Sequence, residues 1–134
     1  MNSEKFYRGF WIVAGIFNVI GGLGIFIFAE ALFGTVDKSP PVPPLYYQAW
    51  IAMFATIGIG YWIVALDLYK NRGMVYIGII GKLAFASLCF YNAIAYPGQI
   101  PPFLIGAAVA DVTFVLFFWR FLGFQKKGLQ SQGG

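Results

Sequence analysis

The chain has 134 residues, of which 60% are hydrophobic, 20% aromatic and only 10% charged, with a mean hydropathy of +0.74. A soluble domain carries about 25% charged residues, so these side chains cannot clothe a water-exposed surface, and an ordinary soluble enzyme is excluded. The chain contains no histidine, which also removes His-ligated haem, Glu-x-x-His di-iron sites, zincin motifs and Ser/His/Asp triads.

The length fits a single domain, and the apolar runs match the span of about 20 residues that crosses a bilayer core. The first predicted helix covers residues 9–33. Gly15, Asn18 and Gly22 recur at spacings of three and four and so share one face. Glu30 falls near the far end, where water can solvate it or where it could line an entrance to the bundle. Lys5 and Arg8 ahead of the run, with Ala29-Glu30-Ala31 behind it, partly imitate a secretory signal. The apolar stretch is longer than the roughly 7 to 15 residues such signals use, so retention as a helix is expected.

Residues 34–47 hold Asp37, Lys38 and the prolines Pro40, Pro41, Pro43 and Pro44, and cannot continue a helix. The second predicted helix covers 48–68. Ala52, Thr56 and Gly60 step by four, with Asp67 further along the same stripe, and Tyr61 carries a hydroxyl that needs a partner in an apolar setting. A polar turn, YKNRG, leads into the third helix at 74–95, where Gly78, Lys82, Ala86, Cys89 and Ala93 form a face. Tyr91 and Asn92 sit toward its far end. Cys89, the single cysteine, reads as a small hydrophobe. After the break PGQIPP, the fourth helix covers 103–122 and carries Asp111. Residues 1–124 thus form one four-helix domain, and 125–134 is expected to be a flexible tail.

Lys5, Arg8, Lys70, Arg72, Arg120, Lys126 and Lys127 fall on one side of this topology and only Lys38 on the other. The positive-inside rule then places both termini in the cytoplasm, and the positive charge serves anionic headgroups rather than nucleic acid. Trp11, Trp50, Tyr46, Tyr47, Tyr69, Tyr96 and Trp119 fall near the expected interfaces. The fold class is an all-α integral membrane four-helix bundle.

Two charges remain inside the spans. Lys82 and Asp111 each lie about 12 Å from opposite boundaries at 1.5 Å per residue, which leaves an axial offset that a lysine stem can cover. An isolated charge at mid-membrane costs about 3 kcal/mol or more, so Lys82 pairs with Asp111, or snorkels to Asp67. Small-residue stripes are ordinary packing surfaces between transmembrane helices; together they enclose an interior holding Asn18, Lys82 and Asp111. Glu30, Tyr61, Asp67, Tyr91 and Asn92 are secondary candidates. Neither a metal-ligand set nor a phosphate loop nor a thiol motif is present in the sequence. Both halves run outward into a proline-rich turn and return with an aspartate, a symmetry of topology alone.

The stretch Gly58-Ile59-Gly60-Tyr61 followed by Asp67, Arg72, Gly78 and Gly81, and the opening RGFWIVAGIFNVIGG, resemble the small four-helix bacterial membrane proteins grouped as DoxX-like. The resemblance covers about a third of the chain, and implies a bundle in the bacterial inner (plasma) membrane, associated in some members with quinone-linked or thiol-redox partners. No cysteine pair supports the latter here. Three functions are compatible with the residues. The first is a non-enzymatic bundle that binds a lipid- or quinone-like molecule or serves as a subunit of a membrane complex or homo-oligomer. A proton-coupled transporter using Asp111 or Glu30 is the second. The third is a membrane enzyme using Lys82 and Asp111, or Tyr61 and Tyr91, as acid and base on an apolar substrate. No cofactor is identifiable from the sequence; a bound lipid or quinone is the ligand class it leaves open.

Overall fold

A computed structural model describes residues 3–132, all of whose regular structure is helical: α1 (Ser3–Ile27), α2 (Ala29–Gly34), α3 (Leu45–Leu66), α4 (Arg72–Ala95) and α5 (Pro102–Gln132). The four longer helices are each long and apolar enough to cross a membrane. The first helix begins earlier than apolarity predicts, because backbone hydrogen bonding rather than hydropathy sets a helix end, and Glu4 in the first turn complements the helix dipole. It also breaks earlier. Phe28 leaves the helical region at φ −103° and ψ 19°, so the predicted span 9–33 is α1 followed by the short, bent α2.

Pro44 leads into α3 and Pro102 opens α5, positions where a missing N–H is not needed. The end of α3 corrects an expectation. Asp67 adopts an extended backbone (φ −139°, ψ 101°), and its Oδ1 accepts the Tyr69 N–H at 3.0 Å. A short polar side chain that satisfies a nearby N–H offers the backbone a turn in place of another helical residue. Asp67 is therefore a turn-former outside the helix.

The inward stripe of α3 also differs from the expected one. Ala52 and Thr56 are exposed, and the Thr56 hydroxyl donates to Ala52 O of its own helix at 2.8 Å. Gly60 of that stripe is buried, together with Ile51, Gly58, Tyr61, Val64 and Ala65. This helix is apolar on every side, so no polar face marks its exterior, and small size alone does not identify the contact surface. In α1 and α4 the buried sets do include Gly15, Asn18 and Gly22, and Gly78, Lys82, Ala86 and Cys89.

Helices α1 and α3 lie against each other, as do α4 and α5. The first pair is close because both sides present glycine. A Cβ on Gly58 would stand 2.8 Å from Asn18 Cβ and 2.9 Å from the Gly15 carbonyl oxygen, nearer than real Cβ contacts allow. Trp62 closes over Gly15 and donates Nε1–H to Ile12 O at 3.1 Å. Arg8 donates to Ala65 O at 2.6 Å and Leu66 O at 3.3 Å, so a cation of α1 satisfies the last carbonyls of α3.

Between α1 and α5 the spacer is aromatic. Trp11 lies 4.4 Å from the Phe118 ring and 5.1 Å from Phe121, and Phe10 meets Phe114, Phe117 and Phe118. The main core gathers here, around Trp11, Tyr61, Val64, Val75 and Phe118, in the half of the bundle that carries the termini. Trp11 is fully buried, so it is a core residue and not the interfacial aromatic its position near the helix start suggests. The opposite half has only a small cluster around Ala86, Cys89 and Ala108.

Of the expected flexible tail at 125–134, the described residues 125–132 are helical. Helix α5 continues to Gln132, and Phe121, Leu122 and Gln125 are buried. Gln125 Nε2–H donates to Leu68 O at 2.6 Å, and a Cβ on Gly128 would come within 2.4 Å of the Tyr69 ring. Residues 121, 125 and 128 recur at helical spacing, and this face docks on the α3–α4 turn. Tyr69 also donates its hydroxyl to Glu4 at 2.8 Å, which brings both chain ends and that turn together at one end of the bundle.

Candidate functional site

The polar residues at mid-depth converge. Lys82 of α4 pairs with Asp111 Oδ1 of α5 in a short contact, and its Nζ also donates to Asn18 Oδ1 of α1 at 3.4 Å. Asn18 in turn donates Nδ2–H to the Phe54 carbonyl of α3 at 3.2 Å. One hydrogen-bonded chain therefore ties all four long helices. Asn18, Lys82 and Asp111 are 1%, 4% and 2% exposed, so the pair is formed away from solvent, where an unpaired charge is most costly. Asp67 is not the lysine's partner; it pairs with Lys70 at 3.0 Å.

The Lys82 ammonium is also surrounded by ring faces. Phe114 lies 4.9 Å away, Phe17 5.5 Å, Tyr61 5.8 Å and Phe54 5.9 Å. A desolvated cation over such faces gains up to about 2 kcal/mol per good contact, so the rings make the burial tolerable. An ammonium has three N–H donors. Two are used on Asp111 and Asn18, and the described residues offer no oxygen acceptor for the third.

Beside this group lies a cavity of about 280 Å³, lined by Asn18, Tyr61, Lys82 and Asp111 together with Trp50, Phe54 and Phe85. Its most exposed large lining residues are Met53 of α3 (68%) and Leu88 of α4 (62%), which puts its open side between these helices. Gly78 and Gly81 form part of the α4 wall, and a Cβ on Gly81 would meet nothing within 4 Å. The volume is at the lower end of the roughly 300–1,000 Å³ typical of ligand pockets, and its make-up, apolar with a few convergent polar groups, is typical of them.

The Tyr61 hydroxyl is the telling atom. Tyr61 is fully buried, and its Oη has no hydrogen-bond partner among the described residues. It stands 2.8 Å from where a Cβ on Gly78 would be, so this glycine leaves the room the hydroxyl occupies. A buried hydroxyl without a partner costs about 1–3 kcal/mol. Tyr61 is among the residues that line the cavity beside Lys82 and Asp111, and its hydroxyl is itself buried.

The other candidates lie elsewhere. Glu30 is exposed on α2 and lines a separate open cleft with Lys38 and Tyr47 beside the proline-rich loop. Tyr91 is 67% exposed on the outside of α4. Asn92 donates to Leu88 O of its own helix at 2.8 Å. Sequence reasoning brought Asn18, Tyr61, Lys82 and Asp111 into view, but not the rings that complete the site. A signal for them was available: Phe85 and Phe114 each follow a buried charge by three residues, and Phe54 precedes Tyr61 by seven, so all lie on the inward faces.

These features define a four-helix bundle with a polar-floored apolar cavity opening through its side. Comparison with family models, with curated proteins and with solved structures finds no match for this chain.

Proposed function

We propose that this chain is a multi-pass membrane protein that binds a lipid-soluble molecule with a carbonyl-bearing head, of lipid or quinone type, taken sideways from the bilayer through the gap between α3 and α4. The observation that carries the reading is an apolar cavity lined by the Lys82–Asp111–Asn18 group and by Tyr61, whose buried hydroxyl has no partner among the described residues. A carbonyl oxygen there accepts from Tyr61 and from the spare N–H of Lys82, while Asp111 keeps the lysine charge balanced. The mouth residues are apolar, so a molecule already dissolved in lipid reaches the site without crossing water. The Arg- and Lys-rich end that carries both termini faces the cytoplasm on this reading, following the positive-inside rule.

Binding suits the geometry better than proton-coupled transport does. Asp111 is engaged by Lys82, and Glu30 lines a different cleft, so the two carboxylates share no passage.

The test uses the protein in lipid nanodiscs and a short-tailed benzoquinone, whose ring quenches tryptophan emission when it sits beside Trp50. Saturable quenching is expected. Tyr61→Phe removes one hydrogen bond of about 1–1.5 kcal/mol and weakens binding about tenfold. Quenching that never saturates, or that is unchanged in Tyr61→Phe, would overturn the proposal.

A further inference from the structure

A second cavity lies on the other side of the bundle. It measures about 220 Å³ and is lined by Gly21 and Ile25 of α1 and by Phe103 and Gly106 of α5. Its lining is almost entirely apolar. It shares Trp50, Phe54 and Phe85 with the first cavity, so these three rings are a common wall. Trp50 stacks on Phe85 at 5.8 Å and on Phe54 at 6.1 Å, and all three are only half-buried. Rings packed on open space are free to change rotamer, whereas rings in a filled core are not.

We infer that the second cavity is the tail subsite of the same ligand: a single-chain amphiphile lays its carbonyl head against Tyr61 and Lys82, and its hydrocarbon chain passes the Trp50 wall to lie between α1 and α5. This rests on the binding reading above and adds the class of ligand, one long unbranched or isoprenoid chain on a compact head. The chemistry of the two spaces divides accordingly. Asn18, Tyr61, Lys82 and Asp111 line the head side alone, and the tail side is lined by apolar and aromatic side chains. A ligand confined to the first cavity leaves the second without a purpose, and one that ends its chain in the bilayer has no need of the space left at Gly21 and Gly106.

The experiment is photo-crosslinking in nanodiscs with a carbonyl-headed amphiphile carrying a diazirine near the end of its chain. Crosslinked peptides are identified with and without excess short-tailed benzoquinone, which competes for the head position. Quinone-sensitive crosslinks are expected on α1 and α5 around Ile25 and Phe103. Gly21→Leu fills the tail space, since a Cβ there already lies 3.9 Å from the Phe54 ring. That variant should lose these crosslinks while keeping Tyr61-dependent quinone quenching. Gly106→Leu, where an added Cβ meets nothing within 4 Å, serves as an independent second filling. Quinone-sensitive crosslinks confined to Met53 and Leu88, or unaltered in both filled variants, would overturn the tail subsite and leave the head site standing. Loss of quinone sensitivity everywhere, with no saturable quenching, would overturn both.

Discussion

Replacing Lys82 by methionine keeps most of the side-chain volume and removes the charge. Asp111 is 2% exposed, so the carboxylate left behind has no solvent to turn to, and breaking a buried pair from one side costs about 3–5 kcal/mol. The substitution also frees Asn18 Oδ1 from its contact with Nζ, worth about 1 kcal/mol. Removing both charges together is a different perturbation. In Lys82→Met/Asp111→Leu no charge is buried, and replacement of such pairs by apolar residues is neutral or stabilising by about 1–4 kcal/mol. The double variant should therefore lie within about 2 kcal/mol of the parent, and since either single change costs about 3–5 kcal/mol, the coupling energy in the cycle should be about 4 kcal/mol or more. Reversible unfolding in mixed micelles, driven by the mole fraction of a denaturing detergent, measures all four corners. If Lys82→Met costs less than about 1 kcal/mol, or if the double variant equals the sum of the singles within about 0.5 kcal/mol, the ion pair is not the polar centre of this fold.

Further outcomes follow from the packing. Gly58→Ala drives a Cβ into Asn18 and the Gly15 backbone and should cost about 1–3 kcal/mol; Gly24→Ala, with nothing within 4 Å, should be neutral or gain up to about 1 kcal/mol, and thermal unfolding in detergent separates the two. Gln125→Ala leaves Leu68 O without its donor and should cost about 1–3 kcal/mol, with faster amide hydrogen exchange in residues 124–132 as the readout. At the polar turn, the Lys70 side chain and then the Tyr69 N–H hold the Asp67 carboxyl below its ordinary 3.8. The stabilisation is therefore fully present above pH 3.8 and is lost as pH falls through the lowered value, so the cost of Asp67→Asn at pH 7 should shrink progressively as the pH is taken below 3.8. The Tyr69 hydroxyl, donating to the Glu4 carboxylate, is raised above its usual 10.0. Its contribution is present below pH 10.0 and disappears as pH rises through the raised value, a difference that a Tyr69→Phe comparison across alkaline pH reads directly.

The apolar runs made the four long helices legible, since a bilayer-length hydrophobic stretch has few other uses. Lys82 and Asp111 were legible as partners because equal distances from opposite ends bring them to one depth. What the sequence obscured has three physical sources. Hydropathy marks where lipid would lie and not where backbone hydrogen bonds end, so α5 extends well past Leu122 and α1 starts at Ser3. A helix apolar all round gives no inside or outside, which is why Ala52 and Thr56 read as contacts in place of Ile51 and Val64. Aromatic residues serve interfaces and cores alike, and Trp11 belongs to the core only because Phe118 and Phe121 of α5 reach it across the bundle.

The order of the helices along the chain bears on how the protein enters a membrane during synthesis. Lys82 and Asp111 sit on consecutive helices, α4 and α5, joined by a short proline-rich link. A lysine or an aspartate at the centre of a lone inserting segment carries a penalty of about 2.5–3.5 kcal/mol. Leaving the translocation machinery separately, each of the two segments meets that penalty; leaving as a hairpin, they present lipid with a closed pair. The first hairpin, α1 with α3, contains no mid-span charge and can integrate ahead of them, with Asn18 waiting for Lys82. An ion pair between consecutive helices thus favours joint over separate integration of α4 and α5.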